Sequence, residues 1–244
     1  MNKTHHFQII DVARGSAILL MFIYHFCFDL SYFGYTTFQF NADPFWLNFR
    51  TFIVSSFLFI MGISMALATN KSINYKRYLK RLLLIVVYAI LVSTSSYLMY
   101  PDSMIFFGIL HFVAAASILS LIFIRWYWFN LILGISLIIF SASFKFELFN
   151  MPYLQWFGLM THKPITEDYV PLLPWFGVVL TGLFFGKLIF IESTSPFSKK
   201  CRNWSSNTQI ARILTFGGKH SLHIYILHQP VFIGLLYIIV SMTG

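Results

Sequence analysis

Charged side chains are scarce in this chain of 244 residues. Asp, Glu, Lys and Arg make up 10% of it, whereas a typical soluble domain carries roughly 25%. Hydrophobic residues account for 58% of the chain, and Phe alone fills 29 positions. This composition excludes an ordinary soluble globular domain. It predicts an all-α fold, a polytopic transmembrane helical bundle that forms a single integral-membrane domain over residues 1–244.

Cysteine and acidic residues are also few. Two Cys provide no disulfide framework, and eight Asp and Glu against 17 Lys and Arg leave a net charge of +9. In a chain this apolar, basic residues first report orientation in the lipid bilayer, so we expect no nucleic-acid partner. The first apolar run carries Asp11 and Arg14 and lacks a small-residue cleavage site, which indicates an uncleaved span.

Apolar segments recur along the chain, and we predict about seven spans. Placing the N-terminus in the cytosol leaves only Arg50, Lys145 and Lys163 of the 17 Lys and Arg residues outside, in agreement with the positive-inside rule. The polar, basic segment 191–211 is then a cytosolic loop, which is either a flexible tether or a segment that helps to hold a phosphorylated ligand, and we favour the tether. The predicted spans are 9–30, 45–68, 79–100, 104–124, 128–144, 171–190 and 221–240.

The first predicted span carries a polar stripe. Arg14 and His25 are eleven residues apart, which at about 100° per residue brings them within roughly 20° of each other around the helix. Asp11 and Asp29 follow the same face. A charge at membrane depth costs at least ~2.5 kcal/mol and usually marks a functional path. We expect His25 to act as a general base oriented by Asp29, although these groups could also only pair with other buried polar side chains.

Two further histidines are candidates for the same chemistry. His111 lies near the outer end of the fourth predicted span, and His228 shares a face of the last span with Ser221 and Tyr225. Each is either a catalytic partner or a packing residue, and the sequence leaves both readings open. His25 and Asp29 have a usable spacing for a metal, but no third ligand is evident, so we expect no metal site.

At these residues the chain resembles the heparan-alpha-glucosaminide N-acetyltransferase catalytic-domain family, as a short bacterial member. The spacing of Arg14 and His25 is also similar to the arginine–histidine motif of bacterial membrane acyltransferases that modify surface polysaccharides. The matching segments are 11–21, 24–26 with Asp29, 56–64, 107–111, 171–177, 218–225 and 228–230.

The resemblance implies transfer of an acetyl group from cytosolic acetyl-CoA to the amine or hydroxyl of a sugar or glycan acceptor across the membrane. On this reading, Arg14, Lys219 and Ser221 bind the acyl-CoA. Transfer is direct or passes through an acetyl-histidine. The implied location is a bacterial inner membrane, and the chain either stays a monomer or forms a homo-oligomer. The residues expected to serve catalysis are His25, Asp29, His111 and His228.

Two other classes of protein fit the same buried charges. A transporter or proton-coupled carrier would use them as a relay. A non-catalytic scaffold in envelope assembly would use them only to hold its helices together. Consumption of acetyl-CoA separates the enzyme from both.

Overall fold

The computed structural model describes residues 7–70 and 73–243, and within them 77% of the chain is helix and no strand is present. Lys3 and Lys71, two of the cations assigned to the cytosol, lie outside these residues. The all-α prediction is confirmed. The α-helices of the described residues are α1 (Gln8–Tyr32), α2 (Pro44–Thr69), α3 (Tyr75–Met99), α4 (Ile109–Phe123), α5 (Tyr127–Ser143), α6 (Leu172–Lys187), α7 (Pro196–Asn203), α8 (Gln209–Lys219) and α9 (Ser221–Thr243).

Within the described residues, five helical segments are long and apolar enough to cross a membrane: Gln8–Tyr32, Pro44–Thr69, Tyr75–Met99, Leu172–Glu192 and Ser221–Met242. They coincide with five of the predicted spans. The other two spans correspond to α4 and α5, which have 15 and 17 residues and therefore fall short of a hydrocarbon layer of ~30 Å. The count of seven spans and the cytosolic N-terminus thus stay predictions.

The fourth predicted span begins five residues too early, because residues 104–108 are not helical. Phe107 forms an isolated β-bridge with Tyr169, and its carbonyl accepts a hydrogen bond from Val170 N at 3.1 Å. Asp168 then accepts a hydrogen bond from Ile109 N at 2.8 Å, which pairs one of the free amides at the start of α4. Burial raises the pKa of the nearby Tyr169 phenol.

The expectation of a flexible tether over residues 191–211 was wrong. The segment contains α7 and the start of α8, and the Thr208 hydroxyl caps α8 by accepting a hydrogen bond from Ala211 N at 3.3 Å. The loop between the two helices is also tied to α1, since Ser206 and Gln8 exchange two hydrogen bonds of 2.9 Å.

The chain divides into two compact units. The terminal unit contains Met1–Phe57 and Lys199–Gly244, and the central unit contains Leu58–Ser198. The prediction of a single domain is not tested by this division.

Small residues bring helix backbones together in the central unit. A Cβ on Gly62 of α2 would overlap the backbone of α6 at Val179, and one on Gly186 would lie 2.8 Å from the Ile63 Cα. Between α5 and α6, a Cβ on Gly134 would lie 2.8 Å from the Gly177 carbonyl oxygen. Such close approach is typical of helix pairs in membranes, where packing and not water exclusion holds helices together.

Replacing a glycine at the contact between α2 and α6 tests the packing of these two helices. We expect Gly182→Ala to lower stability by roughly 1–3 kcal/mol, because a Cβ there would overlap the Phe59 carbonyl and force the helices apart. Gly234→Ala is the matched control, since among the described residues nothing lies within 4 Å of its Cβ position. Thermal unfolding in detergent measures both variants. Equal melting temperatures would contradict the packing.

Candidate active site

Aromatic packing holds one face of α1 in the terminal unit. Tyr24 is buried against Phe40 and Trp46, with ring centroids 5.3 and 6.0 Å apart. Met21 and Ile53 belong to the same buried cluster. Tyr24 also makes an edge contact with the neighbouring His25 ring at 5.6 Å. The cluster therefore fixes the part of α1 from which His25 projects.

The start of α1 packs backbone to backbone against α8. A Cβ on Gly15 would overlap the Leu214 carbonyl, and one on Gly218 would overlap the Asp11 carbonyl. This approach lets Arg14 Nη1 donate to the Gly218 carbonyl at 3.2 Å while it pairs with Asp11 Oδ1 at 3.3 Å. The last carbonyls of a helix lack intrahelical partners and form the negative end of its dipole, so a guanidinium is favourable there.

The three residues expected to bind acyl-CoA converge at this point. Arg14 contacts Gly218, the exposed Lys219 follows it directly, and Ser221 begins α9. Two cationic side chains and a hydroxyl therefore lie around one helix junction. Guanidinium and ammonium groups are the usual protein donors to phosphate oxygens.

His25 of α1 and His228 of α9 meet further along the two helices. Their ring centroids are 4.9 Å apart, with the ring planes inclined at 61°. Phe22 stacks on His228 at 5.5 Å, and only 6% of His228 is exposed. Residues 203 positions apart in the sequence thus form one imidazole pair, in which His25 is half-buried and His228 is buried.

The tautomer of neutral His228 follows from its backbone contact. Its Nδ1 lies 2.6 Å from the carbonyl oxygen of Tyr225. A carbonyl oxygen only accepts, so Nδ1 carries the hydrogen and Nε2 keeps its lone pair. Nε2 is buried and has no hydrogen-bond partner in the described part of the chain. His228 thus presents a basic nitrogen that nothing in these residues occupies.

Asp29 is paired with Gln229 instead of His25. Gln229 Nε2 donates to Asp29 Oδ1 at 3.1 Å, and only 3% of Asp29 is exposed. Within residues 7–70 and 73–243, no hydrogen bond joins Asp29 to His25. The Gln229 amide reaches the carboxylate from α9 instead. Asp29 Oδ2 and Gln229 Oε1 are buried without a partner in these ranges.

Gln229 was missed in the sequence. It directly follows His228, and that adjacency was the available signal. Its importance depends on the packing of α9 against α1, which no pattern within either helix reveals.

His111 lies in the central unit. Its Nε2 is 3.2 Å from Ser93 Oγ, which in turn donates to the Ile105 carbonyl. Because the Ser93 hydrogen is used on that carbonyl, His111 Nε2–H is the donor to Ser93. The polarity is opposite to that of a histidine activating a serine, and the contact ties α3 to α4. The catalytic role expected for His111 stays a prediction.

Among the described residues, no group of three His, Cys, Asp or Glu side chains is placed to bind a metal ion. The expectation of no metal site remains a prediction.

Apolar helices of spanning length, with a buried His, Asp and Gln group between two of them, define a membrane-embedded protein with a polar centre. The model of the family described as heparan-alpha-glucosaminide N-acetyltransferase, catalytic, matches residues 6–230. The chain belongs to this family, which confirms the resemblance, and every residue of the polar centre lies inside the match. Searches of curated proteins and of solved structures returned no match.

The hydrogen bond between Gln229 and Asp29 can be tested by replacing Gln229 with a charged residue. Gln229→Glu should place a second carboxylate beside Asp29 and lower stability by about 2–4 kcal/mol at neutral pH. Lowering the pH should restore much of the loss, because protonation of one carboxyl removes the repulsion and supplies a donor. Gln229→Met removes the donor without adding a charge, so its loss should be smaller and should change less with pH. Thermal unfolding across pH separates them, and identical pH profiles would argue against the pairing.

Proposed function

We propose that this protein transfers an acetyl group from acetyl-CoA to the amine or hydroxyl of a sugar or glycan acceptor. The observation that carries the proposal is the contact between the rings of His25 and His228 beside the Asp29–Gln229 hydrogen bond. Membership in an N-acetyltransferase family supports the same chemistry. Within that family the donor is acetyl-CoA.

The imidazole pair supplies the proton acceptor that acetyl transfer requires. An amine or hydroxyl attacks the thioester carbon, its proton passes to an imidazole nitrogen, and the C–S bond breaks as the CoA thiolate leaves. A neutral imidazole suits this task because one of its ring nitrogens keeps a lone pair that can take the proton. His25 is our choice of base, or of nucleophile in an acetyl-histidine route, and His228 is its neighbour with a free Nε2.

The orphaned atoms beside the imidazoles favour an acceptor rich in N–H and O–H groups. Asp29 Oδ2, Gln229 Oε1 and His228 Nε2 all accept hydrogen bonds in the forms described, and all three are buried. Leaving such atoms unpaired costs about 1–3 kcal/mol each, more for the carboxylate. A ligand that donates to them recovers this cost, and the hydroxyls and amine of a sugar are such donors.

The donor substrate enters this proposal at the other end of α1. Arg14, Lys219 and Ser221 hold the CoA phosphates at the α8–α9 junction, and Arg14 lies about 16 Å from His25 along the helix at ~1.5 Å per residue. With the N-terminus in the cytosol, as the basic residues favour, acetyl-CoA binds from the cytosol and the acceptor reaches His25 from the opposite side. For a bacterial chain this membrane is the inner membrane.

Replacement of His25 tests the enzyme. With purified protein in vesicles, labelled acetyl-CoA and an amino sugar, His25→Ala should lower the transfer rate by at least about 100-fold, because the base is lost. His223→Ala, an exposed histidine at the start of the same helix as His228, should keep wild-type transfer. Wild-type transfer by His25→Ala removes its central role. Acceptor flux without acetyl-CoA consumption would indicate a carrier instead.

Replacement of Arg14 tests the proposed binding site for acetyl-CoA separately. Arg14→Gln removes the cation, whose Nη1 contacts the Gly218 carbonyl, and keeps a neutral side-chain N–H donor. The KM for acetyl-CoA should rise by roughly 10-fold or more, with a smaller change in kcat, because phosphate binding is weakened more than the chemical step. An unchanged KM would leave Arg14 only the structural contact with α8.

A further inference from the structure

Helix α8 has three distinct faces. One packs on α1 through Ala211, Thr215 and Gly218, and Gln8 Nε2 donates to the Thr215 hydroxyl at 3.3 Å. The other two faces project away from α1. Apart from Lys219, the proposed chemistry uses no residue of these two faces.

The second face is apolar and uncovered. Ile210, Ile213 and Phe216 are 72%, 70% and 62% exposed. At about 100° per residue they fall within about 120° of one another around the helix, on the side away from Ala211 and Gly218. Three large apolar side chains exposed on an 11-residue helix need a covering.

The third face is basic. Arg212 and Lys219 are both exposed and lie within about 20° of each other, between the apolar face and the face on α1. The sequence from 196 to 219 contains Lys199, Lys200 and Arg202 as well, and no Asp or Glu. A surface of this composition complements anions only.

The position of α8 in the chain identifies the anionic partner. A single residue, His220, separates α8 from α9, whose segment Ser221–Met242 is long and apolar enough to cross a membrane. With 11 residues, α8 is about 16 Å long and cannot cross it. A short helix tethered to the end of a span, apolar on one side and cationic beside it, has the character of an interfacial helix.

We propose that α8 lies in the headgroup region of an anionic lipid leaflet, at the end of α9 that carries Ser221. Ile210, Ile213 and Phe216 enter the acyl boundary, and Arg212 extends to lipid phosphates. The same helix holds Arg14 through the Gly218 carbonyl, so the leaflet also fixes the depth of that junction. This role is independent of the acetyl-transfer chemistry.

Neighbouring positions on different faces of α8 provide the test. A polarity-sensitive fluorophore is attached at Ile213→Cys or at Arg212→Cys in protein carrying Cys27→Ser and Cys201→Ser, reconstituted into phosphatidylcholine–phosphatidylglycerol vesicles. Both positions are exposed and adjacent in sequence, so each is the control for the other. Spin-labelled lipids should quench the label at 213 at least about twofold more than the label at 212, with blue-shifted emission at 213.

Aqueous emission and equal, weak quenching at both positions would overturn the proposal. So would a label at 213 that is shielded from water, escapes quenching by lipid and cross-links between copies, because that result assigns the apolar face to a second copy of the chain. Equal quenching at 213 in vesicles of phosphatidylcholine alone would overturn the requirement for anionic lipid.

Discussion

A buried polar group inside an apolar helix bundle must find a partner, and the terminal unit is organised by this constraint. Water is not available within the hydrocarbon layer, so each unpaired donor or acceptor costs free energy. Asp11 is paired with Arg14, Arg14 with the Gly218 carbonyl, Asp29 with Gln229, and His228 with the Tyr225 carbonyl. Each of these contacts except the last joins the polar groups of α1 to one another or to α8 or α9. Polar satisfaction, more than side-chain volume, therefore selects how these helices are paired.

The exceptions to this rule carry the functional information. Asp29, His228 and Gln229 each keep one buried atom without a partner in the described residues, and all three lie beside the α1–α9 contact. In the described part of the central unit, Ser120 and Asn130 each also have one buried polar atom without a hydrogen-bond partner. These two residues belong to different helices, α4 and α5. A cost of about 1–3 kcal/mol repeated three times in one place is difficult to explain by packing, and a substrate that donates hydrogen bonds explains it.

Periodicity within one helix could be predicted from the sequence, whereas contacts between helices could not. The stripe of Arg14, His25 and Asp29 follows from helical geometry alone. The partner of Asp29 required the register of α9 against α1, which sets Gln229 and not His25 beside the carboxylate. Helix α8 was missed because polar composition suggested a loop, although Thr208 is a capping residue and Ile210, Ile213 and Phe216 recur every three residues. The fourth span was placed too early because hydrophobicity does not distinguish the extended residues before Gly108 from helix.

The spacing of the two polar centres bears on the choice between an enzyme and a proton-coupled carrier. A relay along α1 needs a polar side chain at each step between Arg14 and His25. The residues on that face between them are Ala17, Ile18, Met21 and Phe22, all apolar, and the first three are buried. On this face of α1 itself, a proton has no polar side chain to occupy over these roughly three turns of helix. A long substrate has no such difficulty, because its phosphates can bind at one centre while its acyl group reaches the other. The apolar stretch of α1 thus supplies no relay of its own, and it is a suitable wall for the extended acyl donor of the proposed reaction.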